Sequence, residues 1–155
     1  MVINLVMEAK FKPEEGQLDY TNIRYAPVIN CVLRYKDRIL IVQRSAEMRL
    51  YPNLWNGISG FLDDQRSVEE KVKDELREEL GIEANDIILI QCGPIHALGA
   101  EEYDKTWIVF PVLVEVKTDK IKLNWEAQDY QWLRIEEIKN LNLFLVFDKV
   151  LAALI

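Results

Sequence analysis

The chain reads as a mixed α+β domain with helices packed on a sheet, and three observations predict it. Apolar segments of strand length recur between polar turns, at 26–35, 38–45, 86–96, 106–116 and 129–135. One segment, 67–80, instead repeats its apolar residues every four positions between a helix start and a helix stop. A closing apolar segment, 136–155, has helical length. With 155 residues, half of them hydrophobic, the chain can bury one substantial core, so residues 1–155 are expected to form a single domain.

Residues 1–25 are an N-terminal extension in which VINLVME has the pattern of a short strand and KPEEGQLDYTN that of turns. APVINCVLRY, the polar pair Lys36-Asp37 and RILIVQRS then form a β-hairpin so apolar that much of it must be buried. AEMRLYPNLWNGISG, with Pro52, two Asn and two Gly, reads as an irregular loop. After the helix, DIILIQCGPIH and TWIVFPVLVEV are two strands joined by the polar loop LGAEEYDK. Pro111 in the second points to an edge position or a bulge, because proline cannot donate to a ladder. DYQWLRI is a further strand, and EEIKNLNLFLVFDKVLAALI one or two helices.

Composition narrows the partners. A net charge of −7, from 19 Lys+Arg against 26 Asp+Glu, argues against nucleic acid or an anionic membrane as partner. A polyphosphate ligand would need a cation to meet this protein. Cys31 and Cys92 stand in apolar runs without CxxC spacing and read as small buried hydrophobes. MVINLVMEAK lacks a basic leader and a cleavage site, and no apolar run reaches the roughly 18 residues of a membrane span. A soluble cytoplasmic protein is expected.

The helix carries the chemistry. Ser67 and Glu70 form a capping box, Val68, Val72, Leu76 and Leu80 trace an apolar stripe, and Gly81 supplies a left-handed stop. At about 100° per residue, Glu75, Glu78 and Glu79 lie at roughly 0°, 300° and 40°, on one face beside the stripe. Three like charges at this spacing repel by a few tenths of a kcal/mol per pair, on the order of what a Lys partner would instead gain. A hard divalent cation that bridges substrate phosphates would favour the cluster, and Mg²⁺ takes such oxygen ligands. A solvated acidic face, with Lys71 and Arg77 neutralising part of it, is the competing account.

Read from Gly60, the stretch is Gly60, five residues, Arg66, seven residues, then DELREELGI ending at Ile82. It resembles the Nudix box, with every spacing kept and Gly60, Glu75, Leu76, Glu78, Glu79, Gly81 and Ile82 matching in type. Two positions depart: Arg66 stands where the family has Glu, and Asp74 where it has Arg. The pair is understood in the family as a salt bridge, which survives when both signs are reversed, so a direct Arg66–Asp74 contact is expected.

The resemblance, weaker outside the box over about 27–141, implies an α/β/α sandwich of Nudix type. It implies a Mg²⁺-dependent (or Mn²⁺-dependent) pyrophosphohydrolase, whose small-molecule substrate is a nucleoside diphosphate linked to another moiety. NTPs, nucleotide sugars, ADP-ribose and dinucleoside polyphosphates belong to that class. The metal ligands it implies are Glu75, Glu78 and Glu79, with a carbonyl of Ser59 or Gly60. Glu126, from EAQDYQW, is the candidate further ligand and general base beside Glu79 and Glu78, with Glu101, Glu102 and Asp104 as competitors. Arg24, Arg44 and Arg49 are candidate phosphate contacts. Trp55, Tyr51, Phe61 and Trp107 are candidates for stacking on a base. His96, the only histidine, reads as a strand-end residue. Family members often form homodimers, and the N-terminal strand could reach across to a partner, so the resemblance leaves a homodimer open. A catalytically silent nucleotide-binding module on the same fold is the main alternative. An isopentenyl-diphosphate isomerase-like enzyme is disfavoured, since neither cysteine lies near Gly60.

Overall fold

A computed structural model describes residues 13–155, so the strand expected within VINLVME lies outside the described residues. The regular elements are β1 (Tyr25–Tyr35), β2 (Arg38–Arg44), β3 (Trp55–Asn56), β4 (Ile58–Phe61), α1 (Val68–Leu80), β5 (Ile87–Cys92), β6 (His96–Ala100), β7 (Lys105–Val116), β8 (Ala127–Leu133), α2 (Ile135–Ile138) and α3 (Leu145–Leu154). All eight strands join one mixed sheet.

Its centre is the parallel pair β1–β7, in register from Tyr25↔Thr106 to Arg34↔Glu115. The other edge of β1 is shared. Near the hairpin it takes β2, with Tyr35 opposite Arg38 across the Lys36-Asp37 turn, and at Val28–Cys31 it takes β4. β2 in turn lies between β3 and β8.

Alternation along these strands sorts the core into two layers. On β2, Ile39 and Ile41 pack with Val32, Val109, Phe147 and Val150 beneath α3, whereas Leu40 and Val42 pack with Cys31, Val114 and the α1 stripe. Strands covered on both faces must be apolar on both, which is why β1, β2 and β7 read as nearly continuous hydrophobic runs. The result is an α/β/α sandwich with α1 on one face and α2 and α3 on the other. Val72, Leu76 and Leu80 are fully buried. Each stabilises by roughly 1.5–3 kcal/mol, and together they anchor α1 with its acidic face turned aside.

Four local expectations change. The segment 86–96 is two strands, not one: β5 and β6 follow each other along the same edge of β7, broken at Gly93-Pro94. Pro111 sits in a central strand rather than at an edge. In a strand, a residue's N–H and C=O point to the same side. The Pro111 carbonyl accepts from the Gly93 N–H (2.8 Å). The missing donor therefore faces the break, where no ladder bond is needed. The loop 46–60 ends in two short strands, β3 and β4, because Gly57 can lie where any Cβ would meet the Cys31 carbonyl oxygen at 2.2 Å. Cys92 is exposed, since β5 is an outer strand on which Ile88 and Leu89 are also exposed.

Before β1, residues 13–24 lie against the sandwich, held by Lys105. Its buried Nζ donates to the carbonyls of Tyr20 (2.6 Å), Thr21 (3.1 Å) and Ile23 (2.6 Å). Among the described residues, no helix is long and apolar enough to cross a membrane.

Candidate metal and catalytic centre

The caps set the frame of α1, each satisfying backbone groups that the helix leaves unpaired. Ser67 Oγ accepts from the Glu70 N–H (3.2 Å), and the Glu70 carboxylate accepts from the Ser67 N–H (2.7 Å). Gly81 ends the helix at φ 68°. With the Val/Leu stripe buried, the glutamate face turns toward β4. There Gly60 meets Glu75 so closely that a Cβ would stand 2.7 Å from its carboxyl carbon and Oε1. Glycine here leaves room for the Glu75 carboxylate, which a Cβ would push aside.

The three glutamates share a face but not a depth. Glu78 points out to solvent, near Arg77. Glu75 is largely covered, and burial pushes it up to about 7, with Glu126 and Glu78 adding to the rise and Lys71 opposing it. Glu79 is deepest. Burial, then the neighbouring Glu126 carboxyl, then Glu75 raise it well above the ordinary carboxylate range, against the pull of Arg44. Among the described residues, its buried Oε2 finds no hydrogen-bond partner.

Glu126 arrives from the other side of the cleft. Its carbonyl accepts from the Ser45 N–H (2.8 Å), and its own N–H donates to Asn124 Oδ1 (3.0 Å), which ties the loop before β8 to the end of β2. Arg44, the last residue of β2, is mostly buried; burial lowers its guanidinium pKa while Glu79 and Glu126 favour its charged form. Arg44 Nε donates to the Leu50 carbonyl (2.9 Å). Between Arg44, Ser59, Glu79 and Glu126 lies a cavity of about 10 Å³. That is the room of a single water-sized occupant. It shares Arg44, Ser59 and Glu126 with a cleft of about 720 Å³. The cleft is large enough for a nucleotide.

Arg66 reaches Asp74 directly, across the fold-back of the segment before α1, and also binds Asp64 (2.5 Å). Asp74 further meets Arg77 (3.2 Å), and Arg66 holds Asp64 down to about 2. The second aspartate, Asp64, has no counterpart in the reversed-pair expectation.

Other candidates divide. Arg49, Tyr51, Phe61 and Trp107 line the cleft, with Trp107 Nε1 donating to the Tyr51 hydroxyl (2.9 Å). Arg24 does not line it; it pairs with Asp104 on the surface (3.5 Å). Trp55 is held by its backbone between Asn142 and Phe144 and packs against the α3 layer, outside the cleft. Glu101 and Glu102 stand on an exposed turn between β6 and β7, and His96 pairs with Val109. Trp125, next to Glu126, lines the cleft at 64% exposure and belongs to no apolar pattern in the sequence. An aromatic inside the polar run KLNWEAQD was its only signal.

Among the described residues, no three acidic, His or Cys side chains stand close enough together to hold a metal ion as they are placed. Glu75 turns to Lys71, while Glu79 faces Glu126. The donor set nevertheless fits a hard divalent cation. It offers carboxylate oxygens, one of them buried and unpartnered among the described residues. A divalent charge would relieve the Glu79–Glu126 repulsion that now favours a proton on Glu79.

Comparison with known proteins agrees with this geometry. Residues 24–154 match the NUDIX domain family. Nudix hydrolase 19, chloroplastic, of Arabidopsis thaliana is 30% identical over 122 residues, covering 75% of this chain and 26% of the plant protein, so the chain spans about a quarter of that relative. Nucleoside triphosphatase NudI of Klebsiella pneumoniae subsp. pneumoniae is 22% identical over 130 residues, covering 78% of this chain and 90% of NudI. The C. elegans Ap4A hydrolase, solved as a binary complex, has the same fold at a TM-score of 0.68 and 19% identity, covering 83% of this chain and 93% of that one.

Proposed function

The chain belongs to the Nudix family, and from that premise we propose that it is a divalent-metal-dependent pyrophosphohydrolase acting on a nucleoside diphosphate linked to another moiety. Within that class, a nucleoside triphosphate is the first substrate to try, because NudI is matched over nine-tenths of its length. The observation that carries the reading is the buried Glu79, unpartnered at Oε2 and crowded by Glu126, beside a nucleotide-sized cleft.

Glu75, Glu78, Glu79 and Glu126, with a carbonyl of Ser59 or Gly60, would hold the cation. Bound there, Mg²⁺ or Mn²⁺ would supply positive charge against the diphosphate and would lower the pKa of a water. The chain supplies the rest. Glu126 or Glu79 accepts the proton of that water. Arg44 and Arg49 meet phosphate oxygens from the β2 side. Tyr51, Phe61 and the exposed Trp125 offer apolar faces to the base, while the buried Trp107 backs Tyr51 and Phe61 from the core.

A second reading, a nucleotide-binding module without turnover, draws on two cations in or beside the acidic face, Arg66 and Lys71. A release assay over NTPs, dinucleoside polyphosphates, ADP-ribose and nucleotide sugars separates the two. Turnover with Mg²⁺ or Mn²⁺ that EDTA abolishes supports the hydrolase. Binding of a nucleotide with no turnover of any compound supports the silent module.

A further inference from the structure

Lys71 lies one turn before Glu75, at roughly −40° on the helical wheel, inside the arc spanned by Glu78 and Glu79. It is only 6% exposed. Lysines are almost never so buried unless paired. Its Nζ donates to Asp63 Oδ1 (3.2 Å) and stands 3.6 Å from Glu75 Oε1. Asp63 is itself fixed from outside: its Oδ2 accepts from Gln17 Nε2 (2.8 Å), and its carbonyl accepts from the Leu18 N–H (2.6 Å).

Helix stability does not account for a lysine here. In an i, i+4 pair, Lys before Glu is the weaker order, and a cation near a helix N-terminus opposes the macrodipole. What the ammonium does is meet the carboxylate that Gly60 presses into the interface. Glu79, on the far side of the same face, has no such partner among the described residues: Arg44 Nε is bonded to Leu50, and Glu79 Oε2 to nothing.

We propose that Lys71 is a built-in cation of this centre, which occupies Glu75 and confines the divalent ion to Glu78, Glu79 and Glu126. The inference rests on the metal-binding reading above and narrows it, because it takes Glu75 out of the ligand set and lowers the number of ions bound.

The test counts ions rather than turnover. Mn²⁺ is titrated into the full chain, with bound metal read by electron paramagnetic resonance, for wild type, Lys71→Met, Glu75→Gln and the double variant. The expected result is one more Mn²⁺ per chain in Lys71→Met than in wild type, an unchanged count in Glu75→Gln, and loss of the extra ion in the double variant. Equal counts in wild type and Lys71→Met, or loss of an ion in Glu75→Gln alone, overturn the assignment. If Lys71→Met does not fold by circular dichroism, the near-isosteric Glu75→Gln arm decides alone. Equal counts with metal-dependent turnover sink only the role of Lys71. No Mn²⁺ uptake by any of the four proteins sinks the metal reading with it.

Discussion

The two ends of the acidic helix face carry similar charges and treat them in opposite ways. At its outer rim, Asp64, Arg66, Asp74 and Arg77 form an exposed chain in which every charge has an opposite neighbour. At its inner end, Glu79 and Glu126 face each other in a cavity where burial and the neighbouring carboxyl oppose ionisation of Glu79. Charge that is paired in water holds a loop and contributes little else. Charge that is crowded and buried has a shifted pKa, the mark of a candidate functional site.

The largest expected effect breaks the inner end. Glu79→Gln should reduce nucleotide hydrolysis by on the order of 10³-fold, the scale of a lost metal ligand and proton acceptor together. Thermal stability should hold or rise, because a neutral amide faces Glu126 without the crowding of two carboxyls; turnover within about tenfold of wild type would break the comparison. Glu126→Gln should cost about 10²-fold in kcat, and a pH–rate profile that keeps its acidic limb would show that the base lies elsewhere.

A smaller effect reads the same end through pH. Glu75 titrates at about 7 in the fold and at 4.5 ordinarily, so between these values the folded chain holds a proton that the unfolded chain has lost. Its contribution in metal-free protein is therefore fullest at the acid side and is lost as pH rises through about 7. Thermal midpoints in EDTA should fall by about 5 °C more for wild type than for Glu75→Gln across that window, and parallel curves would refute the shift.

The smallest effect belongs to the rim. Arg66→Glu or Asp74→Arg alone should cost about 0.5–1 kcal/mol in urea unfolding, and the two together should recover most of it. Additive losses would show that Asp64 and Arg77, not the Arg66–Asp74 contact, hold the segment.

What the sequence made legible follows from what periodicity and spacing encode. The capping box, the stripe and the Lys36-Asp37 turn depend on neighbours within a few positions, and they stand where expected. A helical wheel puts Glu75, Glu78 and Glu79 on one face, but depth along that face is set by β4 and the loop before β8, which no local pattern reports. The same blindness explains Lys71, whose burial comes from Asp63 and residues 17–18. It also explains Arg24 and Trp55, plausible by type but turned elsewhere by tertiary contacts. Proline statistics misplaced Pro111, because the break at Gly93-Pro94 lies in the partner strand.

The parallel β1–β7 pair has a consequence for how the molecule is made. In it Ala26 stands opposite Trp107, far away along the chain. At the usual pace of protein synthesis, a ribosome needs on the order of ten seconds to deliver the second partner after the first. Through that interval β1, apolar on both faces, has only β2 and β4 beside it and one edge bare. The acidic helix is synthesised within the same interval, so its packing stripe is available to one side of the nascent sheet before β7 is complete. Glu75, Glu78 and Glu79 are thus on hand before Glu126, which crowds Glu79 in the finished fold, is synthesised.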